Sequence, residues 1–215
     1  MLSSILQAEI MEIALSLAVV LLLVFLVPAA SGYRKAVLSS VFLLAVILSI
    51  IFGYLDVNLY PASNAIVLTY GLTGGVVLSK LLRHKWAYYV IILSVFAFLD
   101  MLSFLSGAQG GMPSGSVDLY INLVYFLHGL HVIIGGGDIV FVSAIMNYFL
   151  EEHMKKKGLF LISFIAMILL PLTISIPVLI LYSYQDGYPL LLSTLATFIL
   201  FRAMQGKPLN HVRKD

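Results

Sequence analysis

The chain contains no cysteine, which excludes a disulfide framework and any cysteine-based metal or redox site. Charge is scarce as well: Asp, Glu, Lys and Arg make up 10% of the 215 residues, against about a quarter in a soluble globular domain. No polar stretch is long enough for a separate soluble domain, and no internal repeat is visible. The first apolar run lacks a basic n-region and carries Glu9 and Glu12 instead. It therefore reads as a retained helix and not as a cleaved signal peptide, despite the small residues Ala29, Ala30 and Ser31 at its end.

What remains is overwhelmingly apolar. With 61% hydrophobic residues and a mean hydropathy of +1.07, the sequence predicts an all-α polytopic membrane protein. Its apolar stretches predict helices over Ala8 to Ala29, Lys35 to Tyr54, Pro61 to Leu82, Trp86 to Ser106, Lys157 to Tyr182 and Pro189 to Arg202. A polar, glycine-rich loop is expected over Gly107 to Ser116. The apolar segment Tyr120 to Leu150 is interrupted by Gly135, Gly136 and Gly137. As one helix it would extend about 46 Å, against a hydrocarbon thickness of about 30 Å, so a break or loosening is expected at the glycines.

Counting that segment gives about seven spans. All twelve basic residues then fall on one side: Arg34 and Lys35; Lys80, Arg83 and Lys85; Lys155, Lys156 and Lys157; and Arg202, Lys207, Arg213 and Lys214. The other side holds Asp56, Asp118 and Asp186. Because cytoplasmic loops retain Lys and Arg, this partition predicts an outside N-terminus and a cytoplasmic C-terminus. The basic residues are anchors at the inner lipid surface, and no nucleic-acid partner is expected.

Two aspartates break the apolar pattern. Asp100 lies in Phe98-Leu99-Asp100-Met101, and Asp138 follows the three glycines. A carboxylate inside a membrane costs about 2.5 to 3.5 kcal/mol on insertion scales and marks a functional site by default. At about 1.5 Å per residue, Asp100 stands about 22 Å above Lys85 and Asp138 about 20 Å above Glu151. The two carboxyls thus share a level on antiparallel segments. Close carboxylates cannot both ionise readily, so the pair shares a proton and suits general acid–base hydrolysis of a peptide bond.

Gly135-Gly136-Gly137-Asp138 resembles the Gly-x-Gly-Asp motif of the presenilin and signal peptide peptidase family of intramembrane aspartyl proteases, and Ile139-Val140 resembles the continuation in signal peptide peptidases. Leu99-Asp100 resembles the family's Tyr-Asp motif, with leucine in place of tyrosine. Pro189-Leu190-Leu191 resembles its Pro-Ala-Leu element, with leucine in place of alanine, and Pro189 stands about 20 Å above Arg202 at the same level as the aspartates.

The resemblance covers roughly Trp86 to Met204 and implies an endopeptidase. Asp100 and Asp138 are then catalytic, and Gly135, Gly136, Gly137, Pro189, Leu190 and Leu191 bind substrate. Substrates would be transmembrane peptides or leftover signal peptides, held as an extended strand near the motifs. Tyr120 to Ile134 would form part of a mobile element at the substrate entrance, and Tyr184 to Tyr188 would enter the bilayer as irregular chain. The implied organisation is a three-helix scaffold over residues 1–85 and a catalytic four-helix region over 86–215, a presenilin-like bundle lacking two N-terminal helices. No cofactor or metal is implied, and a homo-oligomer is compatible.

Other chemistries remain open from the residues alone. An aspartate pair also fits a type IV prepilin-peptidase-like protease, although Val140 replaces the lysine usual there, or a proton-coupled transporter. His128 and His131, spaced i and i+3, could share a helix face; they read first as interfacial or packing histidines, with polar support of a cavity as the alternative, and they lack further ligands for a metal. Gly71, Gly74 and Gly75 are expected to permit close helix packing.

Overall fold

The computed structural model describes residues 2–82, 85–105, 118–127, 130–173 and 190–205. Its helices are α1 (Leu2–Ser31), α2 (Lys35–Tyr54), α3 (Ala62–Leu82), α4 (Trp86–Leu105), the short α5 (Asp118–Ile121), α6 (Gly136–Glu151), α7 (from Lys156) and α8 (Leu190–Met204). Helix α7 begins as Lys156–Phe164, passes through a π-turn at Ile165–Leu169 and continues to Thr173. Among the described residues, four helices are long and apolar enough to cross a membrane: Ile13–Ser31 within α1, α2, α3 and Lys156–Thr173. The apolar stretches Trp86–Leu102 within α4 and Leu190–Met204, which is α8, are shorter.

The outer faces carry what lipid would cover. Leu43, Leu44, Ile47, Ile50 and Ile51 on α2 are exposed, as are Ile91, Val95, Phe98 and Leu102 on α4. Contiguous apolar surface of this kind does not persist in water on a monomeric protein, whereas a bilayer needs it.

Helix α6 is the centre of the bundle. Residues 141–149 are all buried, and Ile139, Val142, Ile145, Met146 and Phe149 join a core shared with Val19, Val20 and Leu23 of α1 and Leu159 and Ile162 of α7. Its most extensive neighbour is α3. The small residues of α3 make that contact possible: a side chain at Gly71 would run into Ile139, and one at Gly75 would run into the Val140 carbonyl and Ser143. The close packing expected of Gly71 and Gly75 is therefore directed at the helix that carries Asp138.

Lys80, near the end of α3, donates from Nζ to the carbonyls of Ser31 and Tyr33, both at 2.7 Å. The last carbonyls of a helix lack intrahelical partners, and the ammonium also complements the negative end of the α1 dipole. The contact brings Lys80 to the same end of the bundle as Arg34 and Lys35.

The main departure from an all-α architecture lies before α6. Residues that read as the first half of an apolar span form two antiparallel strands, β1 (Asn122–Leu127) and β2 (Leu130–Gly135). Their register pairs Asn122 with Gly135, Val124 with Ile133 and Leu127 with Leu130. The break expected at Gly135 to Gly137 is present, with the helix starting at Gly136. One correction follows: His131 lies on a strand, so a shared helix face with His128 does not exist, and His128 lies outside the described residues. The Gly107 to Ser116 loop, Tyr184 to Tyr188 and Pro189 also lie outside them.

Candidate active site

Asp138 occupies the first turn of α6, three residues after the N-cap Gly135, where the positive end of the helix dipole favours a carboxylate. Its carboxyl reaches back to the main-chain N–H of Gly135. This is the half of a capping box in which a third-position acid satisfies the cap's own amide. The strand-to-helix junction and the aspartate are thus one local unit: β2 ends on the residue whose N–H orients the carboxyl.

Asp100 comes from α4, and two aromatic pairs fix how α4 meets α6. Tyr89 and Tyr148 lie edge to face with ring centroids 5.0 Å apart, and Phe96 and Phe141 also stand 5.0 Å apart. Seven residues forward on α4, from Tyr89 to Phe96, match seven residues back on α6, from Tyr148 to Phe141, so the two helices run antiparallel in register. Asp100 is one turn beyond Phe96, and Asp138 is one turn beyond Phe141 in the matching direction. The two carboxyls therefore reach the same level, and the charge of one acts on the other.

Helix α8 completes the arrangement through its main chain. The N–H of Leu191, in the first turn of α8, donates to Asp100 Oδ2 at 3.2 Å. That amide belongs to the group at a helix start with no intrahelical acceptor, so it is free to hold a carboxyl. Further down, Phe198 stacks on Tyr89 at 5.3 Å and meets Tyr148 edge-on at 5.2 Å. Aromatic pairs contribute about 0.5 to 1.5 kcal/mol each beyond burial. The Tyr89, Tyr148 and Phe198 cluster thus clamps together the three helices that carry the site.

Among the sequence-predicted residues, Asp100, Asp138, Gly135, Gly136 and Leu191 come together. Gly137 is exposed, and a Cβ there would meet nothing within 4 Å. Leu190 opens α8 beside Leu191.

Two residues of α3 that sequence reasoning passed over also belong to the surroundings. Tyr70 donates its hydroxyl to the carbonyl of Ile121 at 2.6 Å and lies so close to Gly136 that any side chain there would collide with it. The Asn64 carboxamide pairs with the main chain of Val124, donating from Nδ2 to its carbonyl at 2.7 Å and accepting its N–H on Oδ1 at 3.0 Å. The available signal was a polar side chain in an apolar span, but its partners are main-chain atoms 60 residues away.

No family model, no curated protein and no solved structure matches the chain.

Proposed function

We propose that the chain is an intramembrane aspartyl endopeptidase, with Asp100 and Asp138 as its catalytic pair. The observation that carries this reading is the convergence of the two carboxyls with the Leu191 amide, from three separate helices, at one level of an apolar bundle. A bilayer disfavours buried carboxyls strongly, and two brought within electrostatic reach answer a chemical need better than a packing need.

In this reading one carboxylate takes a proton from water as the water oxygen attacks the scissile carbonyl. The other carboxyl, protonated, gives its proton to the carbonyl oxygen. Collapse of the tetrahedral intermediate then breaks the C–N bond, with a proton delivered to the leaving amine. Leu191 fixes the plane of the Asp100 carboxyl, and the Gly135 amide fixes that of Asp138.

The substrate is a transmembrane or leftover signal peptide, unwound locally because helical peptide bonds are shielded. The outer edge of β2 suits it, since that edge leads through Gly135 to the Asp138 carboxyl. Gly137, open to space, leaves room for its main chain. The chain crosses the membrane about seven times with its C-terminus in the cytoplasm, a topology supported by the one-sided basic residues and by Lys80 joining the end that carries Arg34 and Lys35.

A peptide probe carrying a hydroxyethylene group in place of the scissile bond tests the reading, because its hydroxyl mimics the tetrahedral intermediate. The probe should bind purified parent protein and fail to bind both Asp100→Ala and Asp138→Ala. A proton-coupled transporter would instead show aspartate-dependent solute flux in proteoliposomes with no probe binding.

A further inference from the structure

In an antiparallel ladder the N–H and C=O of one residue point to the same side, and the side alternates along the strand. Both main-chain groups of Val124 go to the Asn64 carboxamide, so they point away from β2. Asn64 therefore presents to Val124 what a neighbouring strand would present: one donor and one acceptor, correctly spaced. Val124 is fully buried, and an unpaired N–H and C=O there would each cost free energy comparable to a lost hydrogen bond. One side chain on α3 thus occupies the outer edge of β1 at Val124, the middle of its three outward-pointing residues.

The same alternation fixes the other edge. Ile133, paired with Val124, and Gly135, paired with Asn122, share the phase of Val124, so their main-chain groups point away from β1. The Gly135 N–H indeed goes outward, to the Asp138 carboxyl. Helix α1 lies alongside β2, but a helix has no free main-chain groups in mid-span to offer a strand. Among the described residues, β2, the strand that ends at the catalytic carboxyl, therefore offers the edge that a third strand can join.

From this we infer that Asn64 is a positioning residue that sets the register of proteolysis. By acting as a surrogate strand it excludes substrate from the unproductive edge of β1 and locks the β1–β2 register. A slip of that register by one residue would turn every side chain to the opposite face and move a different peptide bond to Asp138. The inference rests on the protease reading and adds a specificity element from α3, outside the part of the chain that resembles any protease.

The test compares the parent with Asn64→Ala and Asn64→Asp, using a labelled transmembrane peptide in detergent micelles and mass analysis of its products. Asn64→Ala, which removes both hydrogen bonds to Val124, should raise KM about tenfold or more, with kcat far less affected. It should also spread cleavage from one dominant bond to neighbouring bonds. Asn64→Asp keeps the acceptor for the Val124 N–H and the side-chain shape but removes the donor. It should spread the products in the same way with a smaller change in KM, and serves where Asn64→Ala does not fold.

Independently of activity, the Val124 amide should exchange with deuterium about tenfold faster in Asn64→Ala than in the parent. A parent that cleaves and a variant that gives the same product set overturn the register claim alone. A parent that cleaves nothing overturns the protease reading with it, and unchanged exchange at Val124 overturns the surrogate-strand contact itself.

Discussion

The main-chain N–H of Leu191 lies 3.2 Å from Asp100 Oδ2, joining residues 91 positions apart in the chain. The contact uses the backbone, so the leucine side chain at this position is incidental to it. Leu191→Ala should therefore cleave peptide within about threefold of the parent. Leu191→Pro deletes the donor at a helical position where proline is tolerated, and should lower kcat about tenfold or more, the size of a hydrogen bond to a charged group. Single-turnover cleavage of a labelled peptide measures both.

The glycines before Asp138 should separate activity from stability. A Cβ at Gly135 would come within 2.6 Å of Asp138 Oδ2, so Gly135→Ala must push the carboxyl aside. That side chain yields easily, so thermal stability should change little while cleavage falls about tenfold or more. Gly137→Ala meets nothing within 4 Å and should keep the parent's melting temperature. Thermal unfolding and peptide cleavage on the same preparations check the pair.

Gly75 should behave in the opposite way. Its Cβ would strike the Val140 carbonyl and lie 2.5 Å from the Ser143 Cβ and 2.9 Å from the Ala144 amide, all on α6. Main chain cannot swing away as a side-chain tip can, so Gly75→Val should destabilise the bundle by about 1 to 3 kcal/mol or more. A thermal scan in detergent should show an earlier transition, and an unshifted transition would contradict the described α3–α6 contact.

How much of this was legible in the sequence depends on distance along the chain. Helix α2 runs over Lys35–Tyr54 as read, α3 starts one residue later than its predicted span, and α4 starts at Trp86 as read, with Ser106 outside the described residues. Local hydrophobicity suffices for such elements. Depth counting along helices also brought Asp100, Asp138 and the start of α8 to one level, because regular helices carry distance faithfully. Helix α1 begins at Leu2, earlier than Ala8, because Ser3, Ser4 and Gln7 break the continuous apolar run without breaking the helix.

The hairpin was not legible as such. Leu123, Val124, Ile133 and Ile134 form apolar runs that fit a buried strand or a membrane helix equally well. The hints were β-branched residues and the His128-Gly129 dipeptide between the two runs. What settles the strands is tertiary: Asn64 satisfies Val124, Tyr70 satisfies Ile121, and the Tyr120 hydroxyl donates to the Val57 carbonyl at 2.7 Å. None of those main-chain partners has a sequence signature.

Orientation is open to a direct check. If the side that holds all twelve basic residues is the inner one, as proposed, a reporter attached after Asp215 should be shielded from an impermeant label in intact cells and become labelled once the membrane is opened. The proposed topology would go with substrates whose N-terminus faces the cytoplasm. External labelling would reverse the topology and favour substrates of the opposite orientation, without altering the aspartate geometry.

Cleavage itself decides whether Asp100 and Asp138 are catalytic. Purified parent protein, Asp100→Asn and Asp138→Asn are incubated with a transmembrane peptide labelled at both ends, and new termini are identified by mass. The parent should give two products whose new termini come from one internal, membrane-depth peptide bond, and each variant should cleave about 10²- to 10⁴-fold more slowly, the usual contribution of a positioned acid or base. Cleavage by either variant at the parent's rate would contradict the catalytic assignment.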